Sequence, residues 1–393
     1  MRVVITDFGV LIAVVTGFLS GLLSSSLSAQ NSQQFYGSGG FRFVAALPPV
    51  ESVYLERSTG VPHRLFVTAQ YDVNVRILGP GPGAKSSFFL HAGEYREIQI
   101  APSAIHSSAG TIASNGIILE SDAPINVSVM NFWRANTEVA DLPPVSQWGT
   151  SYIVTSTVQD VYLDGGDLHD MPSQLVIVAS QDSTIVTVTS PVALEGGSDI
   201  PQTSAGGAVR FMLNSGQTIL LRPRTQNNPT DLASTDMTGA LVSATKPIGV
   251  LAGHQKGSID RFPYDLFLGM GFTAVSTRNS FFDPLRPINF SGTTFVTAPL
   301  RSPTRDWAEA ASQYGPEAVF GDYVKFTAVD APITISFDDG NGRRNLVTLQ
   351  RRGQSYVAGM VDRPTVWTAT GRFHAVQFLK SYGNYNPVGA APG

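Results

Sequence analysis

Leu65-Phe-Val-Thr-Ala69, then Asp72, then Val73-Asn-Val-Arg-Ile77 is the stretch that decides the fold, because its pattern returns twice. The second copy is Leu175-Val-Ile-Val-Ala179, Asp182 and Ile185-Val-Thr-Val188; the third is Val324-Lys-Phe-Thr-Ala328, Asp330 and Ile333-Thr-Ile-Ser-Phe337. In each, an apolar run ends at alanine, an aspartate marks the break, and a short alternating run follows. Period-two alternation over such lengths is the mark of a half-buried strand, and aspartate favours the turn between two of them.

Outward from this core the copies continue to agree. Each opens with glycine and an apolar strand: Gly40-Phe-Arg-Phe-Val-Ala-Ala46, Gly149-Thr-Ser-Tyr-Ile-Val-Thr155 and Gly292-Thr-Thr-Phe-Val-Thr-Ala298. A strand–glycine–strand hairpin follows the alternating run, at Phe89-Leu-His-Ala-Gly93, Phe211-Met-Leu-Asn-Ser-Gly216 and Leu349-Gln-Arg-Arg-Gly353. Each copy closes with what reads as a pair of strands. These are Ile117 to Pro124 then Ile125-Asn-Val-Ser-Val129, Ala240 to Pro247 then Ile248-Gly-Val-Leu251, and Val366 to Thr370 then Phe373 to Phe378. About seven strands per ~100 residues is the density of an immunoglobulin-like sandwich. The predicted class is therefore all-β, with three tandem β-sandwich modules over 37–136, 148–255 and 291–383, few short helices, a linker at 256–290 and a tail at 384–393.

Composition supports this class. Only 14% of residues are charged, against about 25% in an average soluble domain, while the chain holds 38 glycines and 25 prolines, residues that serve tight turns. A net charge of −4 without any basic cluster excludes a nucleic-acid footprint. The absence of cysteine excludes disulfides, thiolate metal sites and thiol nucleophiles, leaving stability to packed sheets.

At the N-terminus, Arg2 precedes an apolar run from Phe8 to Leu23, and small residues lead to Ala29. This predicts a signal peptide over 1–29, and with it a secreted, extracellular or cell-surface location without a membrane span after cleavage. The competing reading is an uncleaved anchor, although the run falls short of the ~20 apolar residues a spanning helix needs.

The ordered motifs resemble the IgGFc-binding protein N-terminal domain family. The resemblance rests on Gly40-Phe-Arg-Phe-Val-Ala, Gly116-Ile-Ile-Leu-Glu-Ser-Asp-Ala-Pro-Ile-Asn-Val and Leu142-Pro-Pro-Val with Trp148-Gly-Thr-Ser-Tyr-Ile-Val. It continues through Pro172-Ser-Gln-Leu-Val-Ile-Val-Ala, Gly253-His-Gln, and Phe295-Val-Thr-Ala-Pro-Leu-Arg-Ser-Pro-Thr-Arg-Asp306, from about residue 37 to about 383. It implies an extracellular binding protein, often associated with mucus or surfaces. This chain has Lys256-Gly-Ser-Ile-Asp where family members carry cysteines, and a shared fold does not carry a ligand with it.

Individual constellations admit two readings each. Asp160, Asp164, Asp167 and Asp170 lie on a glycine-containing stretch and supply oxygen ligands of the kind calcium takes, yet their spacing departs from an EF-hand, and a solvated acidic loop accounts for them too. Calcium is the one cofactor that the sequence suggests. Asp338-Asp-Gly-Asn-Gly342 resembles a metal loop but reads as a hairpin turn. His254 reads as a structural histidine, since no nucleophile or orienting acid accompanies it. Trp133, Trp148, Trp307 and Trp367 suit cores or joints, or sugar stacking if exposed. Asn126-Val-Ser128 and Asn289-Phe-Ser291 fit the glycosylation sequon.

The function expected is non-enzymatic binding or adhesion, with an extracellular protein or a mucus- or matrix-like glycan as partner, held by loops on a rigid sandwich. The alternatives are a structural coat or spacer and, further off, a hydrolase of extracellular polymers, which would need paired carboxylates in a cleft.

Overall fold

The structure is a computed structural model that describes residues 38–50, 63–79, 85–133, 136–164, 167–225, 234–257, 259, 279–300 and 322–378. The expected leader at 1–29, the centre of the 256–290 linker, Trp307 and the tail at 384–393 lie outside the described residues.

The first set of strands is β1 (Gly40–Ala45), β2 (His63–Ala69), β3 (Val73–Leu78), β4 (Lys85–Leu90), β5 (Tyr95–Gln99), β6 (Ile112–Ala113), β7 (Ile117–Trp133) and β8 (Asn136–Asp141). The second is β9 (Gly149–Ile153), β10 (Asp160–Asp164), β11 (Asp167–Met171), β12 (Ser173–Ala179), β13 (Thr184–Thr189), β14 (Ala208–Leu213), β15 (Thr218–Leu221), β16 (Leu241–Gly257) and β17 (Asn279–Pro284). The third is β18 (Gly292–Thr297), β19 (Asp322–Ala328), β20 (Ile333–Asp338), β21 (Arg344–Leu349), β22 (Ser355–Val361) and β23 (Thr365–Phe378). The protein is all-β, as its alternation predicts, with three curled sheets consistent with tandem sandwich modules.

One topology is used three times. The strand orders are β4-β3-β7-β2-β5, β14-β13-β16-β12-β15 and β21-β20-β23-β19-β22, with β1, β9 and β18 each pairing the long central strand. That long strand corrects the expected closing pair: each pair is one continuous strand. The first part of β7 pairs β1 and β3, and its second part pairs β2 and β8, so a single strand serves both layers. The corner is the same each time. Five residue steps from Glu120 to Ile125 answer two on β1, and the steps from Ser243 to Ile248 and from Thr368 to Phe373 answer two on β9 and β18. Pro124, Pro247 and Gly371 sit in these bulges, where a proline costs no ladder hydrogen bond. At the third corner a Cβ on Gly371 would stand 2.7 Å from Ile333 Cγ2, so glycine is required there.

Burial of the second strand in each module shows how the modules stack. β2 alternates buried positions with partly or fully exposed ones, whereas all seven residues of β12 and of β19 are buried. Leu175, Ile177 and Ala179 fill the second core, while Val176 and Val178 face away from it and complete the first core with Leu65, Val67, Leu119 and Val127. In β19, Val324, Phe326 and Ala328 fill the third core, and Lys325 and Thr327 turn towards the second module. A strand covered on both faces reads as a continuous apolar run instead of an alternating one.

Two segments fall differently from the expected divisions. β6, from the first span, pairs β15 of the second sheet, with Ala113 opposite Thr218 and Ile112 opposite Ile219. β17, within the span read as a linker, pairs β16, with Phe282 opposite Gly253. The linker is thus partly strand.

Candidate functional site

Three glycine turns, one per module, occupy equivalent places between the fourth and fifth strands. Gly93, Gly216 and Gly353 have φ of 85°, 76° and 79°, a region that glycine enters without steric cost. Their N–H groups donate to Ala69 O (2.8 Å), Ala179 O (2.9 Å) and Ala328 O (2.8 Å), the alanines of the repeated signal.

In the second and third modules this turn is covered by the module before it. Gly116 N donates to Gly216 O at 3.0 Å, and a Cβ on Gly116 would lie 2.7 Å from that oxygen. At the next joint a Cβ on Gly239 would lie 2.3 Å from Gly353 O. Around the first contact, β6 extends the β15 edge and the buried His106 bonds Thr218 Oγ1 at 2.6 Å. Around the second, Lys325 Nζ pairs with Asp236 Oδ2 at 2.6 Å and donates to Ser156 O at 2.8 Å, while the Thr155 and Thr327 hydroxyls meet at 3.1 Å. His374 bonds Ser291 Oγ at 2.6 Å; burial holds its pKa below the usual imidazole value, partly offset by the Ile153 carbonyl.

The first module's turn is different. Among the described residues, a Cβ on Gly93 would meet nothing within 4 Å. Around it stand three exposed aromatic side chains, Tyr71 (59%), Phe89 (46%) and Tyr95 (69%). Phe89 packs edge-on against His91 with ring centroids 5.0 Å apart. The loop is braced: Asp72 Oδ1 accepts from Ala92 N at 2.9 Å, and Glu94 Oε2 accepts from His91 N at 2.8 Å. The result is an aromatic tip on a stiff turn at an uncovered end of the described array. Reading the strands had not singled out these residues. The available signal lay in the repeat itself, where Tyr95 occupies the position of Thr218 and Ser355, two residues past each turn glycine.

The residues singled out from sequence fall elsewhere. Asp160, Asp164, Asp167 and Asp170 belong to the antiparallel hairpin β10–β11, not to an open loop. Asp164 stands opposite Asp167 at the turn end, Asp160 lies at the far end opposite Met171, and Asp170 opposes Val161 on the other face. Among the described residues no three His, Asp or Glu side chains gather closely enough to hold a metal ion. The 338–342 segment is the turn between β20 and β21, with Asp338 Oδ1 accepting from Gly340 N at 2.9 Å. His254 is buried; its Nδ1 accepts from Lys256 N at 3.1 Å, which leaves Nε2 to donate to Val158 O at 2.9 Å. Trp148 packs over Gly249 at the first joint, and the buried Trp367 donates to Thr297 Oγ1 at 2.8 Å within the third core. Asn126 lies in β7, bonded to Ser38, and Asn289 is exposed on a short 3-10 turn.

The family model for IgGFc binding protein matches residues 142–391. The chain belongs to this family. No curated protein matches it. In this IgGFc-binding family member the matched span takes in the second and third modules and the joint between them. The first module and its uncovered turn precede that span. The family is one of binding proteins, typically extracellular, and is not known for enzymatic activity. Among the described residues no helix is long and apolar enough to cross a membrane.

Proposed function

We propose that this chain is an exported binding protein that holds an extracellular protein partner through the aromatic tip of its first module. One observation carries this reading: the turn that is covered by a neighbouring module at both internal joints is uncovered in the first module and ringed by Tyr71, Phe89, His91 and Tyr95. Exposed aromatic side chains on a braced loop supply a large contact area at little cost in side-chain entropy, which is why aromatic residues recur as binding hot spots. Export rests on the apolar run from Phe8 to Leu23 and the small residues that lead from it to Ala29.

The test is saturable binding of residues 30–393 to a panel of immunoglobulin, mucin and arrayed glycans. Combining Phe89→Ala with Tyr95→Ala is expected to weaken the observed interaction by at least about tenfold, the scale of a lost hot spot. Met212→Ala and Phe290→Ala, which alter exposed apolar side chains elsewhere, are expected to leave it unchanged. Binding that survives loss of the tip sinks the proposal. Retention on glycans alone would move the partner from protein to sugar.

Calcium enters this proposal at the turn end of the β10–β11 hairpin, where Asp164 and Asp167 stand opposite each other. The expected result is a rise in Tm on adding calcium that disappears when both residues are changed to asparagine. A Tm indifferent to calcium removes the ion from the account.

A further inference from the structure

Among the described residues, β23 keeps one edge that its counterparts have filled. The second half of β7 lies between β2 and β8, and that of β16 between β12 and β17, whereas among the described residues 374–378 of β23 pair with β19 alone. A strand edge with unpaired N–H and C=O groups is a template for another strand. In keeping with this, residues 374–378 are only half-buried, while Val127, Val129, Val250 and Ala252 are buried.

The strand that fills the edge ends in the same way twice. Leu142 N donates to Val127 O at 2.9 Å, and Leu285 N donates to Val250 O at 2.8 Å. Two residues later a proline settles on the glycine that opens the module. A Cβ on Gly40 would stand 2.3 Å from Pro144 Cβ, and one on Gly149 would stand 2.4 Å from Pro287 Cβ. Among the described residues the third opening glycine has no such neighbour: the described atom nearest to a Cβ on Gly292 is Thr294 O at 3.7 Å.

The sequence beyond β23 carries the same ending. Tyr385-Asn-Pro387-Val388 matches Leu142-Pro-Pro144-Val145 and Leu285-Arg-Pro287-Ile288. The family match also runs past β23, to residue 391. We propose that residues 382–388 occupy the open edge of β23 as the last strand of the third module, with Pro387 seated on Gly292.

The register follows from the opening glycines. Ile125, Ile248 and Phe373 stand opposite Gly40, Gly149 and Gly292. Ala375 therefore takes the place of Val127 and Val250 and accepts the Tyr385 N–H. The same register sets Tyr382 opposite Phe378 and leaves residues 379–381 for the turn, a loop of three residues of the kind common in hairpins.

Gly292 provides the test, because without a tail at this edge a methyl group there has room. In residues 30–393, Gly292→Ala is expected to lower the first unfolding transition by about 5 °C or more, as a clash within one module should. Gly149→Ala serves as the benchmark for a proline-covered glycine. Adding Pro387→Gly to Gly292→Ala is expected to restore more than half of the loss, since the clash is with the proline ring. A neutral Gly292→Ala overturns the proposal, and so does a loss that Pro387→Gly fails to relieve. A stable dimer that dissociates when residues 379–393 are removed assigns the strand to a second copy and overturns its placement within one chain.

Discussion

Replacing Lys325 by methionine is expected to uncouple the third module from the second. The Lys325 side chain is 7% exposed and its partner Asp236 19%, so the pair sits largely out of water. Methionine keeps the volume within β19 but leaves Asp236 without its counter-charge and takes from Ser156 O one of its donors, the other being Thr238 Oγ1. Breaking a buried pair from one side typically costs about 3–5 kcal/mol, because the remaining charge is stranded. Asp236 retains bonds from Thr238 N (2.9 Å) and Thr238 Oγ1 (2.6 Å), which anchor the carboxylate where it is stranded and do not neutralise it. Calorimetry should show the third module melting ahead of the rest. Adding Asp236→Leu should recover most of the loss, since an apolar pair of similar volume is about as stable as a buried ion pair. A single methionine variant that melts like the parent would show that the joint does not depend on this pair.

The second large effect is a pH dependence uncovered by Glu138→Gln. His63, Asn131 and Glu138 form one row across β2, β7 and β8; the His63 and Asn131 side chains are fully buried, and among the described residues the Asn131 amide makes no hydrogen bond. Burial pushes the His63 pKa down to about 4, against a small opposing pull from the Pro48 carbonyl. The unfolded chain takes up this proton near pH 6.5 and the folded chain only near 4, so folded stability falls as pH drops through that window. At about 1.4 kcal/mol per pKa unit the loss approaches about 3 kcal/mol. Glu138 acts in the opposite sense. Burial, and then the charge of Asp283, raise its pKa to about 7, so its contribution is present below pH 4.5 and lost as pH rises to 7. Asp283 is itself raised to about 6, by burial first and Asp141 last, against the pull of Arg286, but it faces solvent and screening reduces its weight.

In the parent protein the two slopes oppose each other between pH 4.5 and 6.5. Glu138→Gln removes one of them. The variant's urea midpoint for the first module should therefore rise steeply from pH 4.5 to 6.5, where the parent's stays nearly level. A variant with the parent's pH profile would contradict the coupling of this row to folding.

Much of the architecture was legible because strand periodicity survives in single sequences. The second and third strands of each module were located to within two residues by alternation and by the alanine–aspartate break. What was missed follows from physics that a one-dimensional pattern does not display. Pro124, Pro247 and Gly371 are turn formers by local preference, yet in bulges of a long strand they cost little, so three continuous strands read as pairs. β17 lay hidden in an aromatic, proline-rich span because its Phe282 packs into the first module's core instead of its own sheet's interior. The hairpin at 160–171 read as a loop because aspartates mask the alternation of Val161 and Leu163. Lys325, set between Val324 and Phe326, was the one sign in β19 that its second face meets another module. Exposure of the tip belongs to tertiary structure: Tyr95 in sequence is only a residue that follows a glycine turn.

The central claim is that this turn, covered at both internal joints, is the binding surface where it is uncovered. Hydrogen exchange of residues 30–393, free and saturated with the member of the immunoglobulin and mucin panel that binds, tests it most directly. The account predicts slowed exchange in the amides of residues 71–75 and 89–96, with the β14–β15 and β21–β22 turns unchanged. Protection confined to the second or third module, with residues 89–96 exchanging as in the free protein, would contradict it.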